Sequence, residues 1–164
     1  MKIAFYIFSS LVFVALQTTI FRELTFIGVA PQICLVLVVV AGMLSGKEWG
    51  AICGAGMGLL YDIVSGRIVG LNAILFMYIG FFVGVLCKGF FKHKRIVVLF
   101  FTAAAELTYS ILYYFFAFFI WGQMNIIYVF SKIIVPELLY TTVVAVPIYV
   151  LMEKINDYIE RKTF

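Results

Sequence analysis

Residues 42–70 read GMLSGKEWGAICGAGMGLLYDIVSGRIVG, and one position in this stretch repeats every fourth residue: Gly42, Gly46, Gly50, Gly54, Gly58, then Asp62, then Gly66 and Gly70. Positions four apart fall near one face of a helix. Gly50, Gly54 and Gly58 therefore predict a strip without side chains, against which a second helix can lie closely. Asp62 continues that strip with one carboxylate.

The chain around this stretch decides what surrounds it. Of 164 residues, 65% are hydrophobic and 12% charged, and the mean hydropathy is +1.15. A soluble domain of 18.6 kDa carries far more surface charge than this. The expected solvent is hydrocarbon. The apolar stretches suit spanning helices, which need about 20 residues each, and lack the short alternating pattern of barrel strands. The predicted fold is all-α: one polytopic membrane domain over 1–164, with six spans near 3–21, 26–44, 49–65, 71–87, 96–119 and 131–152. The first follows Lys2 without a small-residue cleavage site and is read as retained rather than removed.

Individual spans carry their own marks. Pro31 lies in the second, in a first turn or at a kink. The third, rich in glycine, is barely apolar enough to insert alone and should be sheltered by its neighbours. The fourth adds Gly80 and Gly84, a second close-packing face. The fifth ends in Tyr109, Tyr113, Tyr114, Phe115, Phe116, Phe118, Phe119 and Trp121, read as an interfacial belt. Residues 120–130, with Trp121, Gln123 and Asn125, read as a loop or half-buried turn at headgroup level.

Charge then sets orientation. With the N-terminus in the cytoplasm, Lys2, Lys47, Lys88, Lys92, Lys94, Arg95, Lys154, Arg161 and Lys162 lie inside, against Arg22, Arg67 and Lys132 outside. That is a positive-inside bias, with both ends cytoplasmic. The Lys88 to Arg95 cluster fits topology and anionic lipid, and nothing in the chain argues for nucleic acid.

Polar residues inside apolar spans are the candidate functional residues. Asp62 sits near the end of the third span, with Arg67 and Asn72 as candidate partners. It reads either as a lock on the turn to the next helix or as a contact in an outward pocket. Glu106 and Glu137 must be neutral, paired or wet. Two such acids can suggest a proton or cation path, but no lysine or arginine lies deep in a span to make a relay, and polar interhelical contacts are the favoured reading. Glu106 is the stronger candidate for function, as a place where a partner helix docks, while Glu137 is placed to reach Lys132 or the outer interface. Gln17 reads as a structural amide, and Gln32 beside Pro31 as part of a helix start. Cys34, Cys53 and Cys87 have no disulfide or metal spacing and read as small packing residues, and His93 as a solvated loop residue. No phosphate loop, zinc motif or activated nucleophile is present, so neither enzyme activity nor a cofactor is expected.

The run GAGMGLLYDIVSGRIVGLNAILFMYIGFFVG, residues 54–84, resembles the signature region of the rod shape-determining protein MreD family. The resemblance rests on Gly58, Leu59 and Asp62, then Gly66, then Gly70, Leu71 and Ala73, then Gly80 and Gly84, with Pro31 and Gln32 before a Leu/Val-rich stretch. It implies a non-enzymatic scaffold in the bacterial cytoplasmic (inner) membrane. Such a scaffold would bind an MreC-like bitopic protein and, through it, the MreB filament and RodA with a class B penicillin-binding protein. Gly50, Gly54, Gly58, Asp62, Gly66, Gly70, Asn72, Gly80, Gly84 and Glu106 would serve helix packing or partner contact. The fold is also similar to the six-helix substrate-binding component of energy-coupling-factor transporters, which leaves a vitamin-binding module as the alternative. In that case Asp62, Asn72, Glu106, Tyr109 and Gln123 would line a pocket.

Overall fold

The computed structural model describes residues 31–65, 69–87, 95–121 and 130–162. Every element among them is helical: α1 (Ile33–Ser45), α2 (Lys47–Ser65), α3 (Leu71–Leu86), α4 (Arg95–Trp121), a π-helical turn (Phe130–Ile134) and α5 (Val135–Lys162). The segment 3–21, Gln17, Gly66, Arg67, the Lys88–Lys94 part of the basic connection with His93, and Gln123 lie outside the described residues.

Among the described residues, two helical stretches are long and apolar enough to cross a membrane, Ile96–Phe116 and Lys132–Ile155, while α1 and α3 are apolar but shorter. α1 is the axis of the bundle. Residues 33–43 are all buried, and α2, α3, α4 and α5 all pack on it. Its sequence, ICLVLVVVAGM, is apolar on every side, as a helix surrounded by protein requires. Pro31 and Gln32 precede this helix rather than lying within it, since a proline ring suits the residues before a first turn better than the turn's interior.

The sheltered position therefore belongs to α1, and α2 corrects the expectation made for the glycine-rich span. Gly50, Gly54, Met57, Gly58 and Asp62 are buried on one face of α2, yet Ile52, Gly56, Leu59, Ile63 and Val64 are exposed on the other. The chain reverses from α1 into α2 at Gly46, whose φ of 90° is a conformation that side chains resist. Its N–H donates to the Gly42 carbonyl at 3.0 Å, and its own carbonyl accepts from Gly50 N–H at 2.9 Å, so one residue ends one helix and starts the next.

α2 and α3 form an antiparallel pair whose backbones touch. A Cβ added at Gly54 would fall on the Phe76 carbonyl and lie 2.9 Å from Met77 N, where ordinary contact begins at 3.4 Å. One at Gly58 would lie 2.5 Å from Ala73 Cα, one at Gly50 would meet the Gly80 carbonyl, and one at Gly84 would lie 2.5 Å from Lys47 Cα. Gly42 of α1 joins the same seam, 2.8 Å from the Gly80 carbonyl by the same construction. The every-fourth-residue spacing thus resolves into three helices meeting along side-chain-free surfaces. Hydrophobicity gives no preference between protein and lipid tails, so dispersion across such close contacts is what favours association. Gly56, two residues from Gly54, has open space where its Cβ would be.

Candidate functional site

Eight polar side chains are buried among the described residues: Gln32, Asp62, Asn72, Thr102, Glu106, Ser110, Glu137 and Thr141. They divide into a saturated network at the α2–α3 turn, a bridge between α1 and α5, and an unsatisfied column on α4.

The saturated network begins at Asp62, which is 0% exposed. Its Oδ2 accepts from Gly70 N–H at 2.8 Å and Ala73 N–H at 3.3 Å, and its Oδ1 accepts from Asn72 Nδ2 at 2.6 Å. Gly70 holds a left-handed φ of 101° at the start of α3, which presents the first amides of that helix to the carboxylate. A negative charge at a helix N-terminus is favourable, and the otherwise unbonded first-turn donors are satisfied. Asn72 passes the network on: its Oδ1 accepts from Tyr109 OH at 2.8 Å. Tyr109 packs its ring on Phe76, with centroids 5.3 Å apart, and stacks on Tyr113 at 5.5 Å. One chain of hydrogen bonds therefore ties α2, α3 and α4 together.

Of the residues singled out from sequence, Asp62, Gly70 and Asn72 come together here, and Gly50, Gly54, Gly58, Gly80 and Gly84 form the adjoining seam. Tyr109 corrects its assignment to an interfacial belt: it is 3% exposed and belongs to the interior, whereas Phe115 and Phe116 are exposed. The described part of the aromatic run is two sets, because a helix turns Tyr109 and Tyr113 toward the bundle and carries Phe115 and Phe116 around to the outside.

Gln32 does more than begin a helix. Its backbone N–H donates to Thr141 Oγ1 at 3.1 Å, and its Nε2 donates to Glu137 Oε1 at 3.1 Å, which joins the start of α1 to α5. Glu137 therefore points inward rather than toward Lys132, which is exposed. The π turn and Pro136, which has no N–H to return to the preceding turn, lead directly into it.

Glu106 is different in kind. It is 0% exposed, so it is not itself a surface on which a partner helix docks, contrary to the reading from sequence. Neither of its carboxylate oxygens has a hydrogen-bond partner, nor do Thr102 Oγ1 and Ser110 Oγ. These three residues are four apart and line one face of α4. Thr102 and Ser110 were missed in the sequence, and their T-x3-E-x3-S phase around Glu106 was the available signal. Glu137 lies within electrostatic reach of Glu106, so two acids face a shared interior between α4 and α5. The cysteines take no part: Cys34 and Cys87 are buried and Cys53 half-buried, each within packed helix surface.

The family described as rod shape-determining protein MreD matches over residues 1–159, and the chain belongs to that family. No curated protein and no solved structure matches it. Membership supports a role in rod shape determination and, with two apolar helices long enough to span, suggests a membrane protein.

Proposed function

We propose that this member of the MreD family is a non-enzymatic scaffold of the rod, or elongation, complex. It would sit in the bacterial inner membrane with six spans and both ends in the cytoplasm, and it would bind an MreC-like bitopic protein to support lateral peptidoglycan synthesis. MreB, RodA and a class B penicillin-binding protein would be reached through that partner.

The observation that supports the reading best is the two-faced α2. Its glycine face is used by α3, with backbones in contact, and by Gly42 of α1. Its opposite face exposes Ile52, Leu59 and Ile63 around Gly56, where nothing occupies the space a side chain would fill. A rigid hairpin presenting an apolar ridge interrupted by a glycine suits recognition by another helix in the membrane plane, where close approach is the source of affinity. A scaffold needs rigidity and a face, and it needs no nucleophile or base.

The test is purification of the tagged full-length chain in mild detergent with identification of what accompanies it. Recovery of an MreC-like protein and wall polymerases supports the scaffold. A second reading, the substrate-binding component of an energy-coupling-factor vitamin transporter, draws on the unsatisfied interior around Glu106. An ATPase pair with a coupling subunit in the same purification would favour it over the scaffold.

A further inference from the structure

Three oxygen-bearing side chains on α4 have no partner inside a bundle that satisfies its other polar groups at hydrogen-bond distance. Thr102, Glu106 and Ser110 are 0%, 0% and 1% exposed, and all four of their side-chain oxygens lack a hydrogen bond. Hydroxyls elsewhere behave differently. Thr108, on the exposed face of the same helix, donates to the Ala104 carbonyl at 2.8 Å, and Thr142 on α5 donates to the Leu138 carbonyl at 2.7 Å. Folding back on the preceding turn is the ordinary recourse of a helical hydroxyl in apolar surroundings. Thr102 and Ser110 do not take it, and their oxygens stay buried on the face of α4 that carries Glu106.

The electrostatics of that interior are one-sided. Every buried charged side chain among the described residues is an acid. Asp62 is compensated by two backbone N–H groups and an amide, whereas Glu106 has no such donor and has Glu137 as an electrostatic neighbour. An isolated carboxylate in low dielectric is strongly disfavoured. A component that brings positive charge and takes oxygen ligands would answer both the carboxylate and the unpartnered hydroxyls.

We propose that the Thr102–Glu106–Ser110 face of α4 forms an internal site for one alkali-metal cation, with the Glu106 carboxylate as its charged ligand and the flanking hydroxyls as neutral ones. The donor set selects the class. No three His, Cys, Asp or Glu side chains converge among the described residues, which is unlike a transition-metal site. One carboxylate with hydroxyl oxygens is also a poor match for calcium, which takes six to eight oxygens, often from several carboxylates. Glu137 already accepts from Gln32 Nε2, so the carboxylate without a hydrogen bond is that of Glu106, and it balances one monovalent charge. The hydroxyls lie a helical turn above and below Glu106, about 6 Å along the axis on either side, so the ion sits beside Glu106 and engages whichever hydroxyl turns toward it. The π turn Phe130–Ile134 and Pro136 lead into Glu137, the acid within electrostatic reach of Glu106. Such backbone is tolerated at membrane depth where it is enclosed by protein or lines a polar interior.

Cation uptake here is separable from partner binding and is read on the full-length chain purified in detergent. Thermal unfolding is followed in choline chloride, then with choline replaced stepwise by sodium or potassium chloride at constant ionic strength. The expected result is a saturable rise in Tm of about 5 °C with one of the two cations. The rise disappears in Glu106→Gln and needs roughly tenfold more salt in Ser110→Ala or Thr102→Val. If Glu106→Gln does not fold, the hydroxyl variants and radioactive sodium or rubidium binding at one ion per chain carry the test. Equal Tm in choline, sodium and potassium overturns the proposal, as does a salt response unchanged in all three variants. A Tm that responds to acid but to neither cation also overturns it, because a proton alone then neutralises Glu106.

Discussion

Asp62 at the α2–α3 turn and Glu106 midway along α4 are carboxylates of equal burial in opposite surroundings. Asp62, on α2, takes three hydrogen bonds from the start of α3, and Asn72 extends them to α4. Glu106 takes none, with two more unpartnered hydroxyls beside it. Burial alone therefore does not identify a functional acid in a membrane bundle. A carboxylate whose lone pairs are used by its own fold holds that fold together, and one whose lone pairs are unused is available to something else. The same contrast divides the molecule. The α1–α3 half is closed by backbone contact along a glycine seam, while the α4–α5 half encloses polar groups it does not satisfy.

The sharpest way to break this contrast is at the seam. Gly54→Leu should abolish the α2–α3 contact, since its side chain must enter the Phe76 backbone and no flexible neighbour can yield. Overpacking against side chains commonly costs about 1–3 kcal/mol, and against backbone the expected outcome is loss of the folded monomer in size-exclusion chromatography. Gly56→Leu, two residues away on the open face, should leave Tm unchanged or raise it, since the helix gains propensity and nothing is displaced, while reducing co-purification of the proposed bitopic partner. A Gly56→Leu protein as unstable as Gly54→Leu would remove the distinction between the two faces.

A smaller effect is expected within the Asp62 network. Asp62→Asn leaves an amide facing donors that have lost their acceptor, at about 1–3 kcal/mol for an unsatisfied buried group, seen as a lower Tm. Smaller again is Tyr109→Phe, which removes the one hydrogen bond to Asn72 while keeping both ring contacts, a loss of about 1 kcal/mol. A Tyr109→Phe loss as large as that of Asp62→Asn would mean that α4, and not the turn, is the anchor of the network.

The two halves were unequally legible in the sequence. Gly50, Gly54 and Gly58 announce their seam because a helix that repeats glycine every turn gives up propensity that only close packing recovers. Asp62 and Asn72 lie ten residues apart across a glycine turn, so their pairing follows from local chain geometry. The surroundings of Glu106 do not. Whether a buried acid has a partner depends on what α1 and α5 bring to it, and Thr102 and Ser110 look in sequence like Thr108, which bonds its own backbone. Gln32 likewise meets Glu137 over a separation of 105 residues, a contact no local pattern encodes. Which helix is sheltered was also out of reach: α2 reads as too weakly apolar to face lipid, yet the continuous apolar run of α1 took the centre.

The comparison of Asp62 with Glu106 is tested most directly by measuring thermal unfolding of Asp62→Asn and Glu106→Gln side by side, in the same detergent and in choline chloride. Removing the charge from a saturated site should lower Tm, and removing it from an unsatisfied one should leave Tm unchanged or raise it. A Glu106→Gln protein destabilised as much as Asp62→Asn would show that Glu106 holds the fold as Asp62 does, and the distinction between a lock and an open site would be wrong.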